Sequence, residues 1–140
     1  MKTFMHALVA AFLCLFAFTA AAQAQTQPAF RPYALALDGG TKTAAATAGA
    51  ATLNKNAGVV TTESVSTAAG GVYTLTLTNS TIAVGDQVFA SVQLGTATTG
   101  LPEVATVTPG AGSVAIVIHN DHASAAFNGT LKIAFFVLKQ

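Results

Sequence analysis

Val72–Thr78, with the sequence VYTLTLT, is the stretch that decides the fold class. Its larger apolar side chains, Tyr73, Leu75 and Leu77, alternate with threonine or valine. A period of two places successive side chains on opposite faces of a β-strand. Threonine is β-branched and suits the exposed face of such a strand. The stretch therefore predicts a strand with one buried face and one solvent-facing face.

The same kind of pattern recurs along the rest of the chain. Further strands are predicted within 58–66, 88–94, 104–108, 114–118 and 131–138. Turn residues separate them at Gly70-Gly71, Gly85-Asp86, Pro109–Gly112 and Asn128-Gly129. Short strands with regular turns predict an all-β protein. We expect an antiparallel β-sandwich of jelly-roll or immunoglobulin-like type, preceded by an extended N-terminal arm.

The last predicted strand, Leu131–Leu138, is apolar on both faces. The residues expected to face the core are Leu131, Ile133, Phe135 and Val137. Phe136 and Leu138 then face the other way, where exposure to water would invite aggregation. We therefore expect this strand to be central and covered, or buried against another subunit. Phe136 and Leu138 are candidate self-association residues.

The N-terminal segment Met1–Ala24 predicts a secretory signal. Lys2 provides a positive start, an apolar run follows, and Ala22-Gln23-Ala24 has the small-x-small pattern of a cleavage site. The apolar run covers about 16 residues, which is shorter than the roughly 20 needed to span a bilayer. We expect a secreted or cell-surface protein that is not held in a membrane after cleavage.

Residues 25–57 are predicted to be an extended arm or linker, and residues 58–140 the sandwich domain. Pro28 and Pro32 favour an extended conformation over a helix. Thr41–Ala51 is almost all alanine, threonine and glycine, and it predicts a linker or a loosely held edge strand. The arm residues that could dock on a neighbouring subunit are Phe30, Tyr33, Leu35 and Leu37.

The composition excludes several classes of protein. The 140 residues are 52% hydrophobic and only 8% charged, which argues against intrinsic disorder. Removing the signal removes Lys2 and no acidic residue, so five basic and five acidic residues remain. A chain with no basic surplus is not expected to bind nucleic acid. Zero formal charge also leaves no long-range repulsion between copies, which favours association.

One loop contains residue types that can bind metals, His119-Asn120-Asp121-His122. Two imidazoles and one carboxylate fall short of the four ligands of a closed zinc site. The Asn-Asp pair is typical of a turn. We expect His119 and His122 to bind zinc weakly or not at all, and we predict no metal or other cofactor.

The chain contains no recognisable catalytic constellation. It has no Gly-x-Ser-x-Gly motif, and its single cysteine, Cys14, lies in the predicted signal. Its carboxylates are scattered, so no spacing singles out a pair for glycoside hydrolysis. We therefore expect no enzyme activity and no catalytic residues.

A series of turn and strand motifs covers most of the chain after the signal. They are Asp38–Thr41, Ala51–Lys55, Gly58–Thr62, Tyr73–Ser80, Gly112–Asn120 and Asn128–Phe135. Together they resemble a β-sandwich domain of tailed-phage virion structural proteins, of the decoration or fibre type. The resemblance implies a surface module that is often multimeric, and it carries over no site residues. Virion proteins assemble without a secretion signal, so we interpret this chain as an exported protein built on such a module.

The sequence thus predicts a non-enzymatic, secreted structural protein that self-associates as a surface or fibre subunit. The expected partners are further copies of the chain, in a homo-oligomer or a filament. The alternative is a monomeric extracellular module that binds a glycan or a cell-surface receptor. That alternative is weakened by the absence of tryptophan, because sugar-binding platforms commonly stack on aromatic rings.

Cleavage after Ala24 should leave a mature chain that begins at Gln25. Intact-mass analysis of the secreted protein measures this directly. A functional protein that retains Met1–Ala24 would contradict the signal prediction.

Overall fold

The computed structural model describes residues 42–140, which form eight β-strands and no helix. The strands are β1 Thr43–Ala45, β2 Ala50–Thr52, β3 Ala57–Thr61, β4 Val72–Thr78, β5 Gln87–Leu94, β6 Pro102–Gly110, β7 Ser113–Asn120 and β8 Leu131–Leu138. The predicted signal lies outside the described residues. So do the arm candidates Phe30, Tyr33, Leu35 and Leu37.

The strands form two four-stranded sheets, which confirms the predicted all-β sandwich. Sheet I has the order β1-β3-β8-β5, and sheet II has the order β2-β4-β7-β6. Successive strands lie in opposite sheets at every connection except the β6–β7 hairpin. The loops therefore cross repeatedly between the two layers.

The two sheets are mixed, whereas the sequence predicted a purely antiparallel sandwich. β1 pairs with β3 in parallel, and β2 pairs with β4 in parallel. Along the chain, β2 separates the first pair and β3 separates the second, and each lies in the opposite sheet. Each pair is therefore joined by a crossover, and only a crossover allows parallel neighbours. The remaining ladders are antiparallel.

Residues 42–57, assigned to the arm from the sequence, contribute β1 and β2 to the sheets. Both are edge strands of three residues. They are anchored by buried Ala46, Ala51 and Leu53. Leu53 packs so closely on Gly58 that a Cβ there would lie 2.5 Å from Leu53 Cδ2. Small side chains at the margin of a sandwich leave no clear alternating pattern, which is why the sequence did not distinguish these strands from a linker.

The core lies between the inner faces of the two sheets, and the central strands β7 and β8 supply most of it. The buried residues of these strands are Val114, Ile116, Ile118, Leu131, Ile133, Phe135 and Val137. Leu75 and Leu77 of β4 and Val60 of β3 complete the two layers. The predicted inward set of β8 is confirmed residue by residue.

A buried asparagine at the end of β7, Asn120, joins the loops that cross one end of the sandwich. Its amide nitrogen donates to the carbonyl oxygens of Ala125, Thr67 and Ala68, and its Oδ1 accepts from the backbone N–H groups of Leu101 and His122. These partners belong to three different loops. Buried backbone groups need such partners because water does not reach them.

Asn79, directly after β4, binds loop backbone groups at the opposite end of the sandwich. Its side-chain nitrogen donates to the carbonyl of Lys55 at 2.7 Å, and its Oδ1 accepts from the backbone N–H of Thr81 at 3.0 Å. Asn79 is fully buried. Each end of the sandwich is thus closed by one buried amide.

Glu63 ties the β1–β2 turn to sheet II. Its Oε1 accepts from the backbone N–H of Gly49 at 2.9 Å, and its Oε2 accepts from the Tyr73 hydroxyl at 3.1 Å. Burial of the phenol, together with the nearby Glu63 carboxylate, raises the pKa of Tyr73 well above its usual range. Tyr73 therefore remains a hydrogen-bond donor at all ordinary pH values.

Replacing Asn120 with alanine should lower the free energy of unfolding by about 2–4 kcal/mol, because buried loop groups lose their partners without gaining water. The matched control is Asn128→Ala. Asn128 also accepts from loop N–H groups but is exposed, so its loss should cost less than about 1 kcal/mol. Urea unfolding measures both. Equal losses would contradict the role given to Asn120.

Candidate functional site

An aromatic pair lies on the outer face of sheet I. Phe136 of β8 stands directly opposite Phe89 of β5, and Ala57 of β3 flanks it on the other side. The two phenyl rings are stacked, with centroids 4.7 Å apart and planes 9° from parallel. Their direct cross-strand pairing explains the contact, since opposite side chains in an antiparallel ladder share one face.

These rings are exposed to a degree that is unusual for phenylalanine. Phe89 is 50% exposed and Phe136 37%, and the neighbouring Leu138 is 45% exposed. We call these three side chains the apolar patch. β8 is central in its sheet, as the sequence predicted, but no described residue covers its outer face. Phe136 and Leu138 therefore lie together, as expected for a shared surface.

Phe89 belongs to the patch and was not singled out from the sequence. The signal was present in the strand predicted within 88–94, because Val88, Ala90, Val92 and Leu94 are apolar at period two and mark the inward face, and Phe89 lies between the first two. Period-two alternation then places Phe89 on the outer face. Its stacking partner could not be known without the β5–β8 register.

A shallow groove of about 190 Å³ runs beside the stacked rings. Its floor is formed by the small side chains of Ser91 and Ala134, which stand opposite each other next to the Phe89–Phe136 pair in the β5–β8 ladder. A smaller groove of about 120 Å³ continues toward Val59 and Lys132. The face thus presents two raised rings next to a depression.

The outer face of sheet I carries almost no charge. β3 and β5 contain no ionisable side chain, and in β8 the only one is Lys132. Charged side chains are the usual means by which a sheet face or edge avoids contact with other proteins. Sheet I lacks that protection around the patch.

An ion pair fixes the end of the ladder that carries the patch. Asp86 directly precedes β5, Lys139 directly follows β8, and Lys139 Nζ lies 2.6 Å from Asp86 Oδ2. Lys139 also donates to the carbonyl of Thr81. The hydrogen bond from Lys139, supported by the backbone N–H of Ala83, holds the pKa of Asp86 below its usual range.

The outer face of sheet II is different in kind. Its exposed side chains are mainly threonines, on three of its four strands, β2, β4 and β6: Thr52, Thr74, Thr76, Thr78, Thr106 and Thr108. Hydroxyl groups can exchange hydrogen bonds with water at no net loss. This face is therefore suited to solvent, whereas the outer face of sheet I exposes the apolar patch.

The histidine cluster does not form a ligand set in the structure. His119 Nδ1 lies 3.9 Å from Asp121 Oδ1. His122 Nδ1 already accepts from the backbone N–H groups of Ser124 and Ala125, at 3.1 and 2.8 Å. Within residues 42–140 no three metal-ligating side chains converge. The prediction of weak or absent zinc binding remains to be measured.

Comparisons of the chain with protein-family models, with curated proteins and with solved structures found no match. In the described part of the chain no helix has the length and apolar character needed to cross a membrane.

The Asp86–Lys139 pair should make the stability of the fold depend on acid pH. The pKa of an unfolded aspartic acid is about 3.9, and that of Asp86 in the folded chain is lower. The pair therefore stabilises the fold above about pH 4, and this contribution disappears as the pH falls through the folded pKa. Asp86→Asn should weaken the acid-dependent loss of stability, measured by urea unfolding across pH.

The control for this experiment is Asp121→Asn, which changes an exposed carboxylate in the loop that follows β7. It should leave the acid dependence close to that of the unaltered protein. An identical pH profile for Asp86→Asn and the unaltered protein would show that the pair does not contribute.

Proposed function

We propose that the protein is a non-enzymatic structural subunit that self-associates through the outer face of sheet I. The observation that carries this proposal is the stacked, exposed Phe89–Phe136 pair. Exported and placed at the cell surface, such a subunit would build a surface layer or a fibre.

The cost of leaving the patch in water supports the proposal. Fully burying one large apolar side chain contributes about 1.5–3 kcal/mol. Phe89 and Phe136 are already about half buried, so a contact that covers the remainder of both rings on each of two copies gains about 3–5 kcal/mol before any hydrogen bond is counted. The charged groups near the patch are Lys132 and the mutually neutralising Asp86–Lys139 pair, so little electrostatic repulsion opposes this gain.

The order in which the chain changes sheets supports a jelly-roll type of sandwich, although the parallel β1–β3 and β2–β4 pairs depart from the antiparallel jelly roll. In a jelly roll the chain passes from one sheet to the other at successive connections, and here it does so everywhere except at β6–β7. Jelly rolls include viral capsid domains and lectin domains. A jelly-roll type of sandwich agrees with the resemblance of the sequence to phage virion modules.

The alternative, a monomeric module that binds a glycan or a receptor, would use the same rings as a stacking platform. The groove beside them measures about 190 Å³. Pockets for small ligands usually have volumes of about 300–1,000 Å³ and enclose most of the ligand. An open groove of this size fits a protein surface better than a sugar.

Phe136→Ser should weaken self-association by about tenfold or more, because a partner copy loses the ring that it covers. The matched control is Val72→Ser, which removes an exposed apolar side chain from the outer face of sheet II. Val72→Ser should leave association unchanged. Sedimentation velocity over a concentration series measures both.

Circular dichroism should confirm that both variants keep the β-sandwich. If the unaltered protein stays monomeric at high concentration, the structural-subunit proposal is overturned. Glycan-array binding by the unaltered protein, lost in Phe136→Ser, would then favour the binding module.

A further inference from the structure

The four sheet edges of this domain are not protected to the same degree. β1 and β2, which form one edge of each sheet, are only three residues long. β6, at the other edge of sheet II, contains Pro102 and Pro109, and its register with β7 shifts between Val104 and Thr106. Short strands, prolines and bulges all prevent an edge from pairing with another chain.

The fourth edge, β5, has none of these protective features. Gln87–Leu94 runs for eight residues as QVFASVQL, without proline or charge. Its pairing with β8 continues from end to end with no shift in register. A long, regular and uncharged edge strand is a template for the addition of another strand.

The backbone groups on the open side of β5 can be identified from the ladder. Val137 N donates to Asn56 O, and Leu131 O accepts from Thr62 N, so the odd-numbered residues of β8 are bonded toward β3. The even-numbered residues of β8 are then bonded to β5, through the residues that stand opposite them: Gln87, Phe89, Ser91 and Gln93.

By the same alternation, the N–H and C=O groups of Val88, Ala90 and Val92 point away from β8. β6 runs nearby in the other sheet but forms no ladder with β5. These three residues are only partly buried. Within the described residues no strand satisfies their outward groups.

We propose that β5 pairs antiparallel with β5 of a second copy, joining two copies of sheet I into one eight-stranded sheet. This inference rests on the proposed self-association and adds a second contact to it. The β5 edge joins two copies side by side, and the outer face of the joined sheet stays open to further copies. A strand paired antiparallel with its own copy is related to it by a two-fold axis, so the contact closes as a dimer. Because β5 carries no charge, its two copies do not repel each other.

The side chains define a register for this pairing. Each residue whose side chain points toward the core must pair with a residue of the same orientation in the second copy. A shift in register by one residue would pair inward side chains with outward ones. Centring the two-fold axis on Ala90 satisfies this rule and places Val88 opposite Val92 of the second copy. Phe89 then lies across from the second copy's Ser91, the small residue in the floor of the groove. The four phenylalanines of the dimer share one continuous outer face.

The same register places Gln87 opposite Gln93 of the second copy, twice in each dimer, and this allows a charge test. The variant Gln87→Glu with Gln93→Glu puts like charges face to face and should weaken dimerisation by about tenfold. The variant Gln87→Lys with Gln93→Glu puts opposite charges face to face and should dimerise as well as the unaltered protein. Both glutamines are exposed, and a glutamate at 93 lies opposite Lys132 within the monomer, so neither variant should disturb the fold.

A proline pair tests the edge itself. Ala90→Pro removes an N–H that points outward, so the monomer should remain folded while the dimer is lost. Ser91→Pro removes an N–H that is bonded to β8, so it should lower the free energy of unfolding of the monomer. The two variants are adjacent in sequence and differ in the side to which the lost N–H points. Because the Ala90 side chain faces inward and the Ser91 side chain outward, circular dichroism must show that Ala90→Pro keeps the sandwich.

Sedimentation equilibrium on these variants, and on a chain that lacks residues 25–38, separates the possibilities. Loss of the dimer with two glutamates, its retention with the lysine–glutamate pair, and a dimer that survives deletion of the arm support β5 pairing. If both charge variants associate alike, or if the arm deletion alone abolishes association, β5 pairing is overturned and the structural-subunit proposal stands. An unaltered protein that is monomeric throughout overturns both proposals.

Discussion

The buried amide of Asn120 is the interaction on which the arrangement of loops depends. A chain that changes sheet at nearly every connection must lay its loops across the ends of the core, where backbone groups lose water. Asn120 satisfies groups from three such loops, and Asn79 closes the opposite end. With the ends closed by amides, the interior can consist almost wholly of aliphatic and aromatic side chains. The sandwich then holds together without a disulfide.

The position of β8 follows from this core and leads to the apolar patch. β8 is bonded on both sides, by β3 and β5, and its inner residues are buried against sheet II. A two-layer sandwich has no third layer, so the outer residues of a central strand face solvent. Phe136 and Leu138 are therefore exposed by the architecture itself. The stack with Phe89 reduces this exposure only partly.

The sequence predicted the elements whose side chains alternate strongly, and not those held by tertiary contacts. Val72–Thr78 is placed as predicted, because its large apolar residues alternate with polar ones. In β8, which is apolar on both faces, the predicted set Leu131, Ile133, Phe135 and Val137 is the one that faces the core. β1 and β2 gave no such signal, since they are three residues long and consist of alanine and threonine. The role of Asn120 could not be predicted, because its partners come from distant loops. Phe89 was predictable as an outward residue, but its pairing with Phe136 depends on register.

The distribution of protective features gives the strongest argument about function. The outer face of sheet II carries threonines, and the β6 edge carries prolines and a bulge, so both are suited to remain in water. Sheet I has an uncharged edge at β5 and three exposed apolar side chains on the adjoining face. An edge offers backbone hydrogen bonds and a face offers apolar area, and at β5 the two meet in one strand. On the proposal made above, a second copy pairs with the edge, and the two patches then form one larger apolar face that further copies can cover.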